Sequence, residues 1–598
     1  TGYYYRQIPE LIAERINPFF HFLSVGAFEG KDPCYLFSTR FYIEKNLEIA
    51  DTGINPLKHY IEKGAENGRD PHPAFDTLYY FDQYPEARDS ELTPLEHFFA
   101  VGEPHGKSPT ALFDFNYYLT IRPNLLDKDI SALRHFMEYG YLEGQDPSYL
   151  FRIEYYISDD DNFRKQQINP LVHFITHGQF ENRSPNPLFD VAYYREILAD
   201  RKETCNDPLS HYLVRGGLNG LNPHPLFDTD FYRKQICEAE KHPLEPLEHY
   251  FRHGISDRLD PHPLFNCGYY LSQFKDGELD TDDLLRYYDC NGANDDKDPH
   301  PLFDSKFYRT QMKKRGSGSQ SSLANYVRDG RGKGMSTHPE FDVAYYKKEN
   351  PDIDFSTPVD PVTHYLYEGS QKGRWPSQRI EKLTYKPVIS LVCVVNGPDF
   401  RYLSGLVLSV MSQLYPRWDL SVVIRNPDES AGYQRVRELT ANDKRAHLVE
   451  TDDSTPVSQL LNDALNGLTG EFVVFLDERM FLHANTLLTF VRKLNQNQSL
   501  SLIHADRNTN DRDLTGIACL CPDNAGDTVR FFIGPIACFK RSIIDQMGGF
   551  EAWHQGAYDE RFMIQYIRQS PLETIAHISE PLHYTMYHDP SRIHARPK

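Results

Sequence analysis

Aromatic and apolar residues recur along the first two-thirds of the chain in a unit of fixed length. A constant period of 38 residues is typical of a solenoid, in which each unit buries its apolar face against its neighbours. We therefore predict an α solenoid of two-helix repeats over residues 1–374, with ten copies, the first of them partial. The first member of the repeated aromatic pair stands at Tyr3, Phe41, Tyr79, Tyr117, Tyr155, Tyr193, Phe231, Tyr269, Phe307 and Tyr345.

The hydrophobic spacing inside one unit predicts a first short helix. Asn55 is a favourable N-cap, and Pro56 follows at the first helical position, where its missing N–H costs nothing. Leu57 and Tyr60 then share one helix face. Gly64 is predicted to end the helix in the left-handed conformation. The same glycine recurs at Gly26, Gly102, Gly140, Gly178, Gly216, Gly254, Gly292, Gly330 and Gly369.

The second helix of the unit is predicted to begin at the pair Phe75-Asp76. Asp76 is the candidate cap, and Phe75 before it can pack on Tyr80 as a hydrophobic staple. These anchors account for the high aromatic content, 13%, without a ligand.

Histidines occupy two fixed positions of the unit. The first set has two departures, Tyr287 and Asn325. Its members are either a ladder of metal or phosphate ligands or, as we favour, imidazoles hydrogen-bonded to a neighbouring loop. The second set lies in the turn between helices and is predicted to be exposed. The first set is His21, His59, His97, His135, His173, His211, His249 and His364; the second is His72, His224, His262, His300 and His338.

After residues 375–386, predicted to be a linker, the pattern changes to alternating strands and helices. Such alternation indicates an α/β domain over residues 387–598 with a mostly parallel sheet, which binds ligands at the carboxyl ends of its strands. The predicted strands are 387–395, 418–424, 471–476 and 500–504, and the predicted helices are 402–414, 457–468 and 484–494.

The composition of the chain limits which classes of binding partner are expected. The net charge of −21 argues against nucleic acid and against an anionic membrane surface. No apolar run is long enough to span a bilayer. Nine cysteines without a pairing rhythm suggest reduced thiols and a cytoplasmic setting. The chain begins inside a repeat, which leaves open that sequence precedes it.

Two acidic positions of the α/β region are candidates for chemistry. Asp477 ends the predicted strand 471–476, where a carboxylate could meet a metal–phosphate group or could simply cap the next segment. Asp559 and Glu560 open a predicted helix, where the helix dipole favours negative charge. Asp559 could also serve as a general base toward an acceptor hydroxyl.

The last 210 or so residues resemble family 2 glycosyltransferases of the GT-A fold. The resemblance is carried by SVMSQLYPRWDL, GEFVVFLD and the MGGF stretch that precedes an acidic pair, and the 38-residue repeats resemble those found beside such domains in bacterial surface-polysaccharide proteins. It implies a nucleotide-sugar site, a divalent cation (Mg²⁺ or Mn²⁺) on the diphosphate, and inverting sugar transfer. Carried over by position, Asp477 matches the first metal-motif aspartate, Asp559 the base and His588 a late histidine near the diphosphate.

The chain departs from the family pattern at two places. Arg425-Asn426-Pro427 stands where the family has an acidic pair that reads the nucleotide. Arg479 stands where the second metal-motif carboxylate is expected; it would repel a divalent metal but could itself pair with diphosphate.

Two functions therefore remain open. The first is a glycosyltransferase of surface-polysaccharide assembly, acting on a nucleotide sugar and a glycan acceptor. The second is an inactive pseudo-glycosyltransferase at the cell surface, whose solenoid binds a glycan or a protein, or assembles with further copies of itself.

Overall fold

The computed structural model describes residues 2–49, 52–125, 130–158, 160, 162–236, 245–275, 278–279, 281, 283–292, 296–315, 321–355, 359–395, 402–427, 430–452, 454–506, 517–522, 528–554 and 559–585. Contacts divide the chain into two compact units: Thr1–Arg233 with Glu238–Gly254, and Lys234–Cys237 with Ile255–Lys598. The first unit consists of repeats. The second combines the last three aromatic pairs of the repeat series with the α/β sheet.

The first helix of a repeat begins as predicted. The Asn55 side chain accepts hydrogen bonds from the backbone N–H groups of Leu57 (3.1 Å) and Lys58 (3.3 Å). One α-helical turn, Pro56–His59, then passes directly into a π-helical turn, Tyr60–Gly64. The corresponding π-helical turns are Phe22–Gly26, Phe98–Gly102, Phe136–Gly140, Phe174–Gly178, Tyr212–Gly216, Tyr250–Gly254, Tyr326–Gly330 and Tyr365–Gly369.

The glycine that ends this turn has a different role from the one predicted. Gly64 is not left-handed; the positive φ, +69°, belongs to Gly68 four residues later. Instead, a Cβ on Gly64 would lie 2.1 Å from the hydroxyl oxygen of Tyr42. The position excludes a side chain because the preceding helix packs its tyrosine against the glycine Cα.

The same tyrosine hydroxyl engages the first histidine of the repeat. Tyr42 Oη lies 2.9 Å from His59 Nδ1, and burial lowers the pKa of His59. The imidazole is thus a hydrogen-bonding group, as favoured from the sequence, although its partner is a tyrosine rather than a loop. The bond recurs in Tyr4–His21, Tyr80–His97, Tyr118–His135, Tyr156–His173, Tyr194–His211, Tyr232–His249 and Tyr346–His364.

The two repeats that lack this histidine differ from each other in structure. Asn325 keeps the bond, because its Oδ1 accepts from the Tyr308 hydroxyl at 2.9 Å. Where Tyr287 replaces the histidine, the first helix is one continuous α-helix, Leu284–Asn291, without the π-helical turn.

The second helix also begins as predicted. Asp76 accepts from the N–H of Tyr79 at 2.8 Å, and the Phe75 and Tyr80 rings pack with centroids 5.5 Å apart. The Asp76 N–H donates to the carbonyl of Pro109 in the next repeat at 2.9 Å. This bond between neighbours recurs from Asp114 to Pro147, Asp190 to Pro223 and Asn266 to Pro299.

The prediction that the second histidine set is exposed was wrong. His300 is 2% exposed, and its Nδ1 accepts from the N–H of Leu302 at 3.1 Å. The ring folds inward because it satisfies a backbone donor that the tight turn leaves without a carbonyl partner. Burial lowers the pKa of His262 and of His300 to about 3. His224, His262 and His338 are buried with it.

Contacts in the first unit also reach beyond adjacent repeats. Arg252 forms an ion pair with Asp114, 138 residues earlier, at 2.9 Å. Its guanidinium also lies 4.3 Å from the Tyr149 ring centroid. Arg6 and Glu138 form another such pair at 2.6 Å.

The remaining helices of the repeats are short. In the first unit they are Gly2–Gln7, Glu10–Ala13, Pro18–His21, Thr39–Lys45, Leu47–Ile49, Thr77–Gln83, Pro85–Ala87, Pro94–His97, Glu103–His105, Phe115–Ile121, Pro123–Leu125, Ala132–His135, Ile153–Ile157, Asn162–Lys165, Pro170–His173, Val191–Asp200, Pro208–His211, Thr229–Arg233 and Pro246–His249. In the second they are Ile255–Asp257, Cys267–Ser272, Ser305–Arg315, Ser322–Asn325, Val343–Glu349, Pro361–His364 and Gln378–Glu381.

The C-terminal part forms the predicted α/β layer. Its strands are β1 (Ile389–Val395), β2 (Trp418–Arg425), β3 (Ala446–Thr451), β4 (Phe472–Leu476), β5 (Met480–Leu482), β6 (Leu502–Asp506), β7 (Ile517–Pro522), β8 (Thr528–Ile533), β9 (Ile536–Lys540), β10 (Ile575–Pro581) and β11 (His583–Thr585). Its helices are α1 (Leu403–Met411), α2 (Ala431–Asn442), α3 (Val457–Asn466), α4 (Thr486–Gln496), α5 (Arg541–Gln546) and α6 (Glu560–Gln569), with a 3₁₀ turn at Leu572–Thr574.

Seven strands form one mixed sheet in the order β10-β6-β9-β4-β1-β2-β3. β4, β1, β2 and β3 are mutually parallel, whereas β9 runs antiparallel between β4 and β6. The four predicted strands and three predicted helices are confirmed. Because β1, β2 and β4 are parallel neighbours, their carboxyl ends lie at one edge, which is where a ligand site is expected.

Candidate active site

Asp477 is the first polar residue after the central strand β4. All five residues of β4 are buried, so the chain turns polar only where it leaves the sheet. The Asp477 carbonyl accepts from the N–H of Met480 at 3.0 Å, which closes a tight turn into β5. The Asp477 side chain is 27% exposed at this edge.

The arginine two residues later binds this carboxylate with two hydrogen bonds. Arg479 Nε donates to Asp477 Oδ1 at 2.9 Å, and Nη2 donates to Oδ2 at 3.2 Å. The Arg479 backbone N–H also donates to Oδ1, at 3.0 Å. Both carboxylate oxygens therefore face one planar cation, the geometry in which arginine pairs best with a carboxylate.

This donor set does not fit the divalent cation that the resemblance implies. Mg²⁺ and Mn²⁺ take several oxygen ligands, but the Asp477 oxygens already face a guanidinium. Within the described ranges, no cluster of three or more histidine, cysteine or acidic side chains has the geometry to hold a metal ion.

A second cation stands two strands away. Arg425 is the last residue of β2, and its guanidinium donates to the carbonyl of Thr455 at 3.4 Å. It also lowers the pKa of Asp452, after the larger effect of hydrogen bonds from Ser454. With strands about 4.8 Å apart, β1 separates the ends of β2 and β4 by roughly 10 Å. At the two positions where the resemblance expects carboxylates the edge carries arginines instead, Arg479 paired with Asp477 and Arg425 close to Asp452.

Asp559 caps the helix α6. One carboxylate oxygen accepts from the N–H of Arg561 at 2.9 Å, so Asp559 stands at the start of the helix, as predicted. Phe562, one turn into this helix, stacks on Phe550 at 4.2 Å, and Phe550 meets Phe475 of β4 at 5.5 Å. The aromatic chain ties the start of α6 to the strand that ends at Asp477.

The MGGF stretch is held by an asparagine that the sequence analysis did not single out. Asn462 in α3 accepts from the Phe550 N–H and donates to its carbonyl, both at 2.8 Å. Gly548 and Gly549 have φ of +80° and +79°, and a Cβ on Gly549 would lie 2.5 Å from Asn462 Oδ1. The paired glycines therefore let the chain turn closely around this side chain.

His554 is a further buried group that sequence reasoning missed. It is 3% exposed, and its Nδ1 accepts from the Glu551 N–H at 2.8 Å. Burial lowers its pKa, while the neighbouring Asp559 carboxylate acts in the opposite direction. No periodicity or motif marks this histidine in the sequence; it is recognisable only once Asp559 is placed beside it.

The structure thus pairs Asp477 with Arg479 and sets Asp559 at the start of a helix in the same domain. His588, the fourth predicted site residue, lies outside the described residues. In the part of the chain that is described, every helix is too short or too polar to cross a lipid bilayer.

Comparisons with known proteins find similarity to parts of the chain at low identity. No protein-family model matches the chain. An uncharacterized protein, y4gI, from Sinorhizobium fredii is 24% identical over 213 residues, which is 35% of this chain and 23% of that protein. The O-antigen biosynthesis protein RfbC of Myxococcus xanthus is 22% identical over 210 residues, 35% of this chain and 16% of that protein. The chain therefore matches about a fifth of the length of these relatives.

Solved structures are also similar to part of the chain. The Pyrobaculum calidifontis mannosyltransferase PcManGT, in complex with GDP-Man and Mn²⁺, is 20% identical, with 37% of this chain and 67% of that chain covered and a TM-score of 0.26. Residues 1–349 of S. aureus TarS in complex with UDP-GlcNAc are 14% identical, with 35% and 61% covered and a TM-score of 0.27.

Proposed function

We propose that the α/β domain is a glycosyltransferase of bacterial surface-polysaccharide assembly, with a nucleotide-sugar site at the carboxyl edge of its sheet. The observation that carries the proposal is the partly exposed Asp477–Arg479 pair at the end of the central strand β4. The likeness to an O-antigen biosynthesis protein supports the polysaccharide context.

In this proposal Arg479 holds the donor diphosphate. A guanidinium binds phosphate oxygens with two parallel hydrogen bonds, as it binds the Asp477 carboxylate in the structure. Asp477 then orients the arginine, and Arg425 at the end of β2 adds positive charge for the nucleotide. The residues present favour this arrangement over one in which a divalent cation bridges Asp477 and the diphosphate.

Asp559 is the proposed base for inverting transfer. Its carboxylate takes the proton of the acceptor hydroxyl while that oxygen bonds to the anomeric carbon of the donor. The bond from the anomeric carbon to the diphosphate breaks, and the nucleoside diphosphate leaves with the electron pair. His588 is assigned to the diphosphate only through the family resemblance.

The second candidate is an inactive pseudo-glycosyltransferase. It is favoured by one observation, the occupation of both Asp477 oxygens by Arg479. In that case the repeats, stacked as a solenoid, supply the function as a glycan- or protein-binding scaffold or through self-assembly.

Calorimetric titration of the whole chain with UDP and with GDP tests the proposal. We expect one of the two to bind, and the affinity to survive chelation of divalent metals by EDTA. Asp559→Asn should keep that affinity and abolish sugar transfer, or donor hydrolysis where no acceptor is supplied. Asp545→Asn, an exposed aspartate on the neighbouring helix α5, is the matched control and should retain both.

Each arm has an outcome that contradicts the proposal. Absence of binding by either nucleotide would favour the scaffold. Binding that EDTA abolishes would show that a metal, not Arg479, holds the diphosphate. Full activity in Asp559→Asn would remove Asp559 as the base.

A further inference from the structure

The short strand β5 ties the Asp477–Arg479 pair to the repeats of the second unit. β5 begins at Met480, the residue after Arg479, and pairs antiparallel with β11. Its middle residue, Phe481, is fully buried. Where Phe481 sits therefore determines how the turn that carries Asp477 and Arg479 leaves β4.

One edge of the Phe481 ring meets two glycines, one from each part of this unit. A Cβ on Gly405 of α1 would stand 2.3 Å from the Phe481 ring, and one on Gly268 of the repeat helix Cys267–Ser272 would stand 2.9 Å from it. Tyr269 of the same repeat helix and Tyr402, just before α1, complete a buried cluster around the ring. The ring thus contacts both a repeat helix and a helix of the α/β layer.

The neighbouring strand β11 is held by the same repeat helix. Tyr584 packs against Tyr269 with ring centroids 5.6 Å apart and against His483, just after β5, at 4.6 Å. Both strands that follow the candidate site therefore contact the repeat helix Cys267–Ser272.

Two further polar contacts join the last repeats to the α/β layer, and one of them continues inside that layer. Glu340 and Arg492 of α4 form a bidentate pair at 3.0 and 2.8 Å. The Tyr365 hydroxyl donates to the Gln413 carbonyl at 3.0 Å, and the Gln413 side chain in turn donates to the His483 carbonyl at 2.8 Å. These contacts lie just after α1, just after β5 and on α4, around the segment that follows Asp477.

We propose that the last repeats of the chain support the donor site from outside it, because Gly268 and Phe481 position the Asp477–Arg479 turn for the nucleotide. The proposal rests on the nucleotide site proposed above. Phe481 is a positioning residue: it acts through the turn and does not touch the ligand.

Gly268→Ala tests the contact by adding the crowding Cβ. We expect nucleotide affinity to fall about tenfold and hydrogen–deuterium exchange over residues 477–482 to rise severalfold, with exchange in β1 and β2 unchanged. Gly332→Ala is the matched control in another repeat of the same unit. Its Cβ would meet nothing nearer than the Asp329 carbonyl at 3.6 Å, so it should behave as wild type.

A rescue separates positioning from general destabilisation. Phe481→Leu removes ring atoms on the side that Gly268 faces, so the double variant Gly268→Ala with Phe481→Leu should regain affinity relative to Gly268→Ala. Lower thermal stability without a change in exchange over residues 477–482 would overturn the proposal, as would a double variant worse than both single ones. Should Gly268→Ala not fold, Phe481→Leu alone must show the raised exchange for the proposal to stand.

Nucleotide affinity and hydrogen–deuterium exchange test different claims, so failure of the nucleotide site and failure of the repeat contact can be told apart. If the wild-type chain binds neither UDP nor GDP, the nucleotide site fails. The exchange measurement then still shows whether the repeats hold the turn.

Discussion

The polar groups of the repeats and those of the sheet edge are used in opposite ways. In the repeats, His97 is 4% exposed and bonded to Tyr80 at 2.9 Å, and the same bond recurs in repeat after repeat. At the sheet edge, Asp477 and Arg479 occur once, with side chains 27% and 39% exposed. The polar residues that recur in the repeats are satisfied within the fold. The single, partly exposed pair at the end of a buried strand can bind a ligand as well.

The largest expected effect comes from disturbing a repeat. In Gly330→Ala the new Cβ would lie 2.1 Å from the Tyr308 hydroxyl oxygen, so the tyrosine must move and lose its bond to Asn325. We expect a loss of about 3 kcal/mol in the free energy of unfolding, from overpacking together with an unsatisfied buried polar group. Chemical denaturation followed by circular dichroism measures it.

The control for this variant is again Gly332→Ala, two residues away and uncrowded. We expect it to change stability by less than about 0.5 kcal/mol. Equal losses of unfolding free energy in the two variants would mean that the substitution acts through the backbone conformation of the glycine and not through the contact between Gly330 and Tyr308.

A smaller, pH-dependent effect is expected at the turn between repeat helices. Burial raises the pKa of Asp298 to about 8, although Ser305 donates its N–H to the carboxyl at 2.7 Å. In the unfolded chain the group ionises near pH 4. The folded state therefore retains a proton that the unfolded state has released, and stability falls as the pH rises from about 4 to about 8.

Asp298→Asn should remove the fall in stability that occurs as the pH rises. Asn222 occupies the corresponding position in another repeat, where its Oδ1 accepts from the Thr229 N–H at 2.9 Å. We expect the variant to be more stable than wild type by at least about 1 kcal/mol at pH 8, with the difference shrinking toward pH 5. Thermal melts at the two pH values measure it, with the exposed Asp89→Asn as control. A stability difference that is the same at both pH values would contradict the raised pKa.

Much of the fold could be predicted because periodicity and capping are local signals. The 38-residue spacing, the Asn55 and Asp76 caps and the buried run of β1 each depend on residues close in sequence. The reason for Gly64 could not be predicted, because Tyr42 meets it from the preceding helix across 22 residues. The inward turn of His300 depends on a backbone donor that only the folded turn presents.

The candidate site was predictable in part for the same reason. A carboxylate directly after the buried run FVVFL marks Asp477 from sequence alone, and an acidic pair that opens a predicted helix marks Asp559. The family resemblance then gives each of them a role. Asn462 and His554 could not be found, because Asn462 acts on Phe550 across 88 residues and His554 matters only beside Asp559. The π-helical turns likewise have no sequence signal beyond the repeat itself.

The smallest effect on stability, with a clear effect on binding, is expected at the sheet edge. Arg479→Ala breaks an ion pair that is partly exposed on both sides, and such pairs contribute little to folding. We expect a change below about 1 kcal/mol in the free energy of unfolding, similar to that of Arg152→Ala, whose pair with Asp146 in the repeats has comparable exposure, 34% and 19%.

The two arginine variants should differ in their affinity for nucleotide. Arg479→Ala is expected to weaken metal-free nucleotide binding at least tenfold, about 1.4 kcal/mol, whereas Arg152→Ala leaves it unchanged. Arg479→Asp goes further, because it places a second carboxylate two residues after Asp477 and so supplies oxygen ligands for a hard cation. That variant should bind nucleotide only with Mn²⁺ present. Unchanged metal-free affinity in both Arg479 variants would show that the Arg479 guanidinium does not bind the nucleotide. The difference in exposure between the sheet edge and the repeats would then have no role in ligand binding.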